Sequence, residues 1–296
     1  MGLVSASGTL CGLWYRRLLA SDLPHGIRPQ ARAIRRTDRG IRGMLAIPAP
    51  RTHVQASIDD MPLNTVQIGV SEVYDKVDRT RDLGSEYAIS DSAGYLDLVA
   101  EHRLVPGIHR VSYSVANRKP VSANLYTIPA SAKVGIISDV DDTIMITQAP
   151  VPWKAAYNLL FLNPKKKASV PGMSVLFTRI ADLFPGAPFF YLSTSPWNVE
   201  SSIRNFITDH GFPEGPLLLR DLDPRPKTFV PTGPQHKLEF AEQLMADFPD
   251  MKFILVGDDG QKDPTTYATI ARRYPGRVLA IVIRELSPRE STGLRR

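Results

Sequence analysis

The residues best suited to chemistry gather at Asp139-Val140-Asp141-Asp142-Thr143. They follow Lys133-Val134-Gly135-Ile136-Ile137-Ser138, an apolar, β-branched run that reads as a buried strand stopping in a loop. Such a stop holds Asp139 and Asp141 side by side at a strand end, where open α/β sheets bind ligands. Two carboxylates held close repel one another. The pair therefore calls for a shared proton or a divalent cation, and hard oxygen ligands of this kind suit Mg²⁺. The plainer reading is a solvated acidic turn, because Asp is a common turn residue.

Three groups further along weigh against that plainer reading. Pro188 to Leu192 is an apolar strand that ends at Ser193-Thr194-Ser195, where hydroxyls and backbone N–H groups emerge beside a helix start, an arrangement that suits phosphate. Lys237 follows a Pro/Gly-rich loop at the beginning of a helix, within reach of an anion. Lys252 to Val256 is a further buried strand and stops at Gly257-Asp258-Asp259-Gly260-Gln261-Lys262-Asp263. A second acidic cluster at a second strand end supplies the rest of an oxygen cage for a cation. Taken singly, Ser193 reads as a turn residue, Lys237 as a solvated helix residue and Asp263 as a helix cap. In this order, on alternating strands and helices, they point to one site.

The elements needed to position them are visible as well. Strands are expected at 133–138, 188–193, 216–219, 252–257 and 277–283, and helices at 172–184, 197–210, 234–247 and 264–274. This is the alternation of a parallel sheet covered on both faces. Ser195 is expected to cap the second helix and Gly211 to end it, while Asp263 and Pro264 open the last. Upstream, residues 54–130 show short β-rich runs at Val66 to Tyr74, Glu86 to Ile89, Tyr95 to Val99, His109 to Val115 and Ala123 to Ile128, spaced as in a small antiparallel β-sandwich. His102 and His109 stand apart from other metal-ligand candidates and read as surface or packing residues. Residues 131–287 form the α/β domain, 288–296 a tail and 1–53 an arm, in which Leu13 to Ala20 has the pattern of a short helix.

Composition narrows the function classes. One cysteine, Cys11, leaves neither a disulfide framework nor a cysteine zinc site and fits a reducing, cytoplasmic setting. The longest apolar runs, such as Val278 to Ile283, are strand-length, far below the ~20 residues of a membrane-spanning helix. The formal net charge of +6 belongs to residues 1–53, which hold nine arginines against two acids; the remainder is close to neutral. Such an arm suits anionic lipid or nucleic acid, or is simply solvated. Neither a signal peptide nor a myristoylation motif is expected at Met1-Gly2, where Ala6 stands in place of the required hydroxyl residue.

The four motifs together resemble the haloacid-dehalogenase-like phosphohydrolases. Three longer words, Ser138-Asp139-Val140-Asp141-Asp142-Thr143-Ile144, Tyr191-Leu192-Ser193-Thr194-Ser195-Pro196-Trp197-Asn198 and Gly257 through Pro264, resemble the actin-patch phosphatidate phosphatase family, relatives of the lipins. The resemblance implies a Rossmannoid α/β catalytic domain that hydrolyses phosphatidate to diacylglycerol with Mg²⁺ through an aspartyl-phosphate. By the same resemblance Asp139 is the nucleophile and Asp141 the general acid and base. Thr143, Ser193, Thr194 and Lys237 bind substrate, Lys237 also acting in catalysis. The metal belongs to Asp139, Asp258 and Asp141, the last through its backbone carbonyl, with Asp263 or Asp259 completing or orienting the shell.

The implied partner is a phosphatidate-containing membrane surface, reached peripherally from the cytoplasm. No nucleic acid is expected, and no protein partner of the β domain is identified. The segment between Thr143 and Gly172 carries Trp153, Tyr157, Leu159, Leu160, Phe161 and Leu162 before Lys165-Lys166-Lys167. It either covers the site against acyl chains and head groups or packs as an ordinary helix with a basic turn. Arg220 and Asp221 are further candidates for the site. Two other functions stay open: a phosphatase for a soluble phosphomonoester, and a membrane- or partner-binding module on a non-catalytic phosphatase fold.

Overall fold

A computed structural model describes residues 3–4, 14–17, 53–62, 66–67, 88–89, 95–99, 104–115, 120–129, 131–146, 168–196, 199–220, 233–260 and 262–286. The chain divides into two compact units that part between Ser131 and Ala132.

The first unit is built of β1 (Leu3–Val4), β2 (Trp14–Arg17), β3 (His53–Ile58), β4 (Met61–Pro62), β5 (Val66–Gln67), β6 (Ala88–Ile89), β7 (Tyr95–Val99), β8 (Gly107–Ser114) and β9 (Val121–Thr127). One sheet runs β1-β9-β8-β3-β4 with β6 also on β3, and a second runs β2-β7-β5. All pairs are antiparallel except β1 with β9. Period-two alternation explains the sheet: Val54, Ala56 and Ile58 of β3 and Val111 and Tyr113 of β8 are buried. Asp59 and Asp60, with φ of 47° and 65°, join β3 to β4 by the two-residue turn that suits right-handed strand twist. His109 hydrogen-bonds Asp59 through Nδ1 at 2.6 Å and the Val105 carbonyl through Nε2 at 2.8 Å, a packing role. His102 lies outside the described residues.

Two expectations for this unit change. Trp14–Arg17, inside the stretch expected to be a short helix, is a strand paired along its whole length with Tyr95–Leu98, and Leu3–Val4 pairs with β9. Residues 1–53 therefore contribute strands rather than only an arm. Aromatic residues beside an open strand edge take the hydrogen bonds that the edge offers, which outweighs a weak helical pattern. The strand β3 is an addition, legible afterwards in the alternation of Val54, Ala56 and Ile58.

The second unit has the expected α/β class. Its strands are β10 (Val134–Asp139), β13 (Phe189–Pro196), β14 (Leu217–Arg220), β15 (Lys252–Asp258) and β16 (Val278–Arg284), with a small antiparallel pair β11 (Met145–Ile146) and β12 (Ala168–Ser169). The helices are α1 (Met173–Leu183), α2 (Glu200–Asp209), α3 (Gly233–Asp247) and α4 (Asp263–Arg273). The five strands pair in parallel in the order β14-β13-β10-β15-β16. The chain runs outward from β10 on one side, then returns to start again at β15 on the other. The carboxyl ends of β10 and β15 flank the point where that direction reverses, the usual ligand crevice of such sheets.

Both faces of the sheet are packed. On one, Phe177 of α1 meets Phe189, Tyr191 and Phe212 at centroid distances of 5.6, 6.3 and 5.3 Å. On the other, Phe190 meets Phe248 and Phe253 at 5.9 and 6.3 Å. Alternation along β13 thus fills two layers at once, which is why the strand reads as continuously apolar. Gly215 passes so close to the Phe189 carbonyl that a Cβ there would collide with backbone.

Element ends fall within about a residue of expectation, with two exceptions at the second motif. β13 does not stop at residue 193 but continues to Pro196, with a register shift against β14 between Ser193 and Pro196. Ser195 is consequently a strand residue and not a helix cap, and α2 begins after Val199. Gly211, with φ of 70°, does follow the end of α2.

Arg277 closes the far end of the unit. Its guanidinium donates to the carbonyls of Met251 (2.8 Å), Phe248 (2.6 Å) and Met245 (3.2 Å), covering the C-terminal carbonyls of α3. Arg277→Ala leaves those carbonyls short of donors and is expected to cost roughly 2 kcal/mol, while Arg277→Lys recovers only part, since one ammonium does not span three acceptors. Urea unfolding measures this, and a loss under about 0.5 kcal/mol for the alanine variant contradicts it.

Candidate active site

Asp139 ends β10, and the chain turns at once. Val140 accepts hydrogen bonds from the Ile144 and Met145 N–H groups at 3.1 Å each, and Asp142 N–H donates to the Met145 carbonyl at 2.8 Å. Asp142 sits at φ 55°, a left-handed conformation that Asp tolerates better than most residues but that still has an energetic cost. The compact turn leaves Asp139, Asp141 and Thr143 beside the end of β15, where Asp258 emerges.

Asp139 is the hub. Its Oδ1 is 2.8 Å from Lys237 Nζ, and its Oδ2 accepts the Thr143 hydroxyl at 3.0 Å. Thr143 also approaches Asp258 Oδ2 at 3.3 Å, so one buried hydroxyl spans the two strand ends. Lys237, presented from α3, also pairs with Asp263 Oδ1. The other oxygen of Asp263 lies 3.4 Å from the Asp258 N–H, and Asp258 Oδ1 accepts the Gly260 N–H at 2.7 Å. Asp139, Thr143, Lys237, Asp258 and Asp263 are all buried. Asp141 is half-buried and faces the second motif: Ser193 donates to its Oδ2 at 2.8 Å, and Ser195 Oγ lies 3.4 Å from the same oxygen. The Ser195 N–H donates to Ser193 Oγ at 2.9 Å and so orients that hydroxyl.

Carboxylates outnumber cations here, and the electrostatics follow. Burial, with the Asp139 charge beside it, pushes Asp141 up to about 7, against the pull of the Ser193 hydrogen bond. Asp141 is partly exposed as a residue, while its carboxyl lies against Ser193 and Ser195. The same two causes raise Asp258 to about 6 and Asp263 to about 7, the latter against the opposing effect of Lys237. Burial works against the Lys237 charge, but Asp139 and Asp263 outweigh it and raise its pKa, so it stays an ammonium.

One ligand atom from each of Asp139, Asp258 and Asp263 lies within 4.8 Å of the others, an all-oxygen, negatively charged set that fits a hard divalent cation. Gly257 makes room for it, since a Cβ there would stand 2.8 Å from Tyr267 Cε2 and overlap the Asp263 carboxylate. Tyr267 is itself pinned by donating to the Val256 carbonyl at 3.0 Å.

The structure thus brings together Asp139, Asp141, Thr143, Ser193, Lys237, Asp258 and Asp263. It does not bring in Asp259, which is exposed and whose Oδ1 accepts the Leu286 N–H at 2.8 Å; that hydrogen bond turns it toward the chain leaving β16. Thr194 is half-buried and, among the described residues, makes no side-chain hydrogen bond to the carboxylates. Arg220 ends β14, and its side chain, like Asp221, lies outside what is described, as do residues 147–167 with Trp153 and Lys165-Lys166-Lys167. The pair β11–β12 roots that segment directly after the Asp139 turn. Sequence reasoning missed Ser195 and Tyr267 as site residues. Ser195 belongs to a motif the sequence shows, but its pattern there reads as a helix cap.

Two outcomes follow from the crowded charge. The acidic groups have folded pKa values above the unfolded 3.8, so their stabilising effect is full below that value and is lost as pH rises through about 6 to 7. A dication bound to the cluster offsets the loss. Mg²⁺ is expected to raise Tm by several degrees at about pH 8 and by little at about pH 5, and equal shifts at both would rule out the cluster as its site. Gly257→Ala has to displace Asp263 or Tyr267, so it should lower stability by about 1–3 kcal/mol and shrink the Mg²⁺-induced shift; an undiminished shift would show that Asp263 is not part of the metal site.

Comparison with known proteins fits this site. The family described as "Phosphatidate phosphatase APP1, catalytic domain" matches residues 134–285, which run from the start of β10 to just past β16. Phosphatidate phosphatase APP1 of Saccharomyces cerevisiae is 29% identical over 211 residues, covering 69% of this chain and 35% of that protein. An uncharacterized protein of Schizosaccharomyces pombe is 26% identical over 176 residues, covering 58% of this chain and 29% of its own. The chain spans about a third of the length of these curated relatives. Among solved structures, the HAD domain of the effector protein Lem4 from Legionella pneumophila aligns with a TM-score of 0.35 at 12% identity, over 53% of this chain and 89% of that one. By the match of its entire parallel-sheet region, the chain belongs to the phosphatidate phosphatase APP1 catalytic-domain family.

Proposed function

We propose that the second unit is a Mg²⁺-dependent phosphatase acting on phosphatidate to give diacylglycerol and phosphate. The observation that carries the reaction class is the pairing of two unlike carboxyl groups at the end of β10. Asp139 is held in place by Lys237 and Thr143, which orient it as a nucleophile, while Asp141 is held by Ser193 with a pKa of about 7, the setting of a proton donor near neutrality. The lipid assignment draws on the family description.

In this reading an Asp139 carboxylate oxygen attacks phosphorus, and the bond from phosphorus to the lipid oxygen breaks. The departing oxygen takes the Asp141 proton, giving diacylglycerol and an aspartyl-phosphate on Asp139. Asp141, now a carboxylate, takes a proton from water as that water attacks phosphorus, which frees Asp139 and phosphate. Ser193 and Lys237 hold phosphoryl oxygens, and Lys237 neutralises part of the charge that develops on them. The cation would be held by Asp139 and Asp258 with the backbone carbonyl of Asp141, Asp263 setting the orientation; it supplies charge neutralisation that lets two anions meet. Asp259 has no part in this set.

No described helix is long and apolar enough to cross a membrane, and substrate reaches such a site from a bilayer surface that the protein visits. The Lys165-Lys166-Lys167 run is the segment we assign to anionic head groups.

The test is phosphate release from phosphatidate in mixed micelles, beside a panel of soluble phosphate esters, for the wild type and Asp139→Asn with and without Mg²⁺. Release from phosphatidate that needs Mg²⁺ and drops at least about a thousandfold in Asp139→Asn is expected. Turnover of soluble esters alone would remove the lipid and leave the mechanism. No turnover of either would remove the enzyme reading and favour a binding module.

A further inference from the structure

Arg284, the last residue of β16, was not among the residues singled out by sequence. It is paired in the sheet with Asp258, and its contacts lead to both carboxylate-bearing loops. Its guanidinium donates to the carbonyl of Asp142, 142 positions away in the chain. Its own carbonyl accepts the Asp259 N–H at 3.1 Å. Two residues on, the Leu286 N–H donates to Asp259 Oδ1 at 2.8 Å, tying the same loop a second time.

The geometry points to Arg284 as a positioning residue that holds the Asp139 and Asp258 loops in mutual register, with Asp259 as its anchor. A peptide group is planar, so holding the Asp142 carbonyl also sets the Thr143 N–H and the direction in which Thr143 leaves the turn. Thr143 is the hydroxyl that spans Asp139 and Asp258. In the same way, holding the Asp259 N–H sets the peptide plane that follows Asp258. Arg284 therefore sets two peptide planes, that of Asp142 and Thr143 through its side chain and that of Asp258 and Asp259 through its backbone carbonyl. The turn needs such help, because Asp142 occupies a left-handed conformation that persists only when its surroundings over-determine it. Asp259 thus serves here not as a metal ligand: its carboxylate fastens the chain segment that carries Arg284.

The kinetic arm of the test rests on the phosphatase reading, and the structural arm does not. Arg284→Met keeps the apolar stem and removes every donor; Arg284→Lys keeps a single charged donor. Amide hydrogen exchange at Asp142, Ile144 and Met145, whose N–H groups close the turn, is expected to quicken about tenfold or more in Arg284→Met and less in Arg284→Lys. On a soluble phosphate ester, kcat is expected to fall about 10- to 100-fold in Arg284→Met with KM changed less than about twofold, a higher Mg²⁺ concentration being needed for half-activation and Arg284→Lys restoring part of the rate. Unchanged exchange in that turn overturns the inference whatever happens to turnover. A raised KM with unchanged exchange also overturns it, by making Arg284 a substrate contact. If the wild type turns over no phosphate ester, the phosphatase reading falls and exchange alone decides the role of Arg284. Should Arg284→Met fail to fold, Arg284→Lys carries the same comparison.

Discussion

Four acidic side chains crowd around a single buried ammonium in the second unit, and most of its local structure serves to hold that unfavourable arrangement. Asp139, Asp258 and Asp263 are taken out of water, where like charges a few ångströms apart cost far more than at a surface. Lys237 offsets part of this by lying between Asp139 and Asp263. The remaining excess appears as the upward shifts of Asp141, Asp258 and Asp263. The repulsion among these carboxylates is of the kind a divalent cation relieves, and the all-oxygen set fits one.

The sheet makes that concentration possible. β10 is the central strand, covered on both faces and paired on both edges, so the carboxylate at its end starts from a rigid platform. The reversal of strand order between β10 and β15 opens a crevice there and lets Asp139 and Asp258 face each other. The same topology brings Lys237 in from α3 and Asp263 from the first turn of α4. Phe177 and Phe248 on opposite faces keep β13 fixed, and its register shift at Ser193 to Pro196 allows both serines to address Asp141. Among the described non-glycine residues of this unit, the left-handed backbone falls where the chemistry is proposed, at Asp142.

Within the site the division of labour is physical. Asp139 is held by a cation and a hydroxyl. Asp141, without a cation in hydrogen-bond contact, retains a proton to near neutral pH. Two identical side chains separated by one residue thus sit in unlike settings, because the turn sends one toward Lys237 and the other toward Ser193. The outer strand β16 adds support that does not touch the reacting atoms, through Arg284 and the Asp259 loop.

What the sequence determined by itself was local. Apolar β-branched runs, helical periods and glycine stops placed the strands and helices of the second unit almost to the residue, because those signals arise from neighbours along the chain. The order of Asp139, Ser193 and Asp258 through Asp263 at strand ends, with Lys237 near a helix start, was enough to expect these residues at one site. Tertiary structure decided the rest. Ser195 belongs to a strand because β14 pairs beyond Ser193, and Trp14–Arg17 is a strand because β7 has an open edge; both are outcomes of pairing partners distant in sequence. Asp258 and Asp259 are adjacent and alike in sequence, yet one faces Thr143 and the other fastens Leu286, since a loop turns successive side chains in different directions. Arg284 carries no motif at all, and its contact with Asp142 exists only because five strands pair in one particular order, which no local pattern encodes.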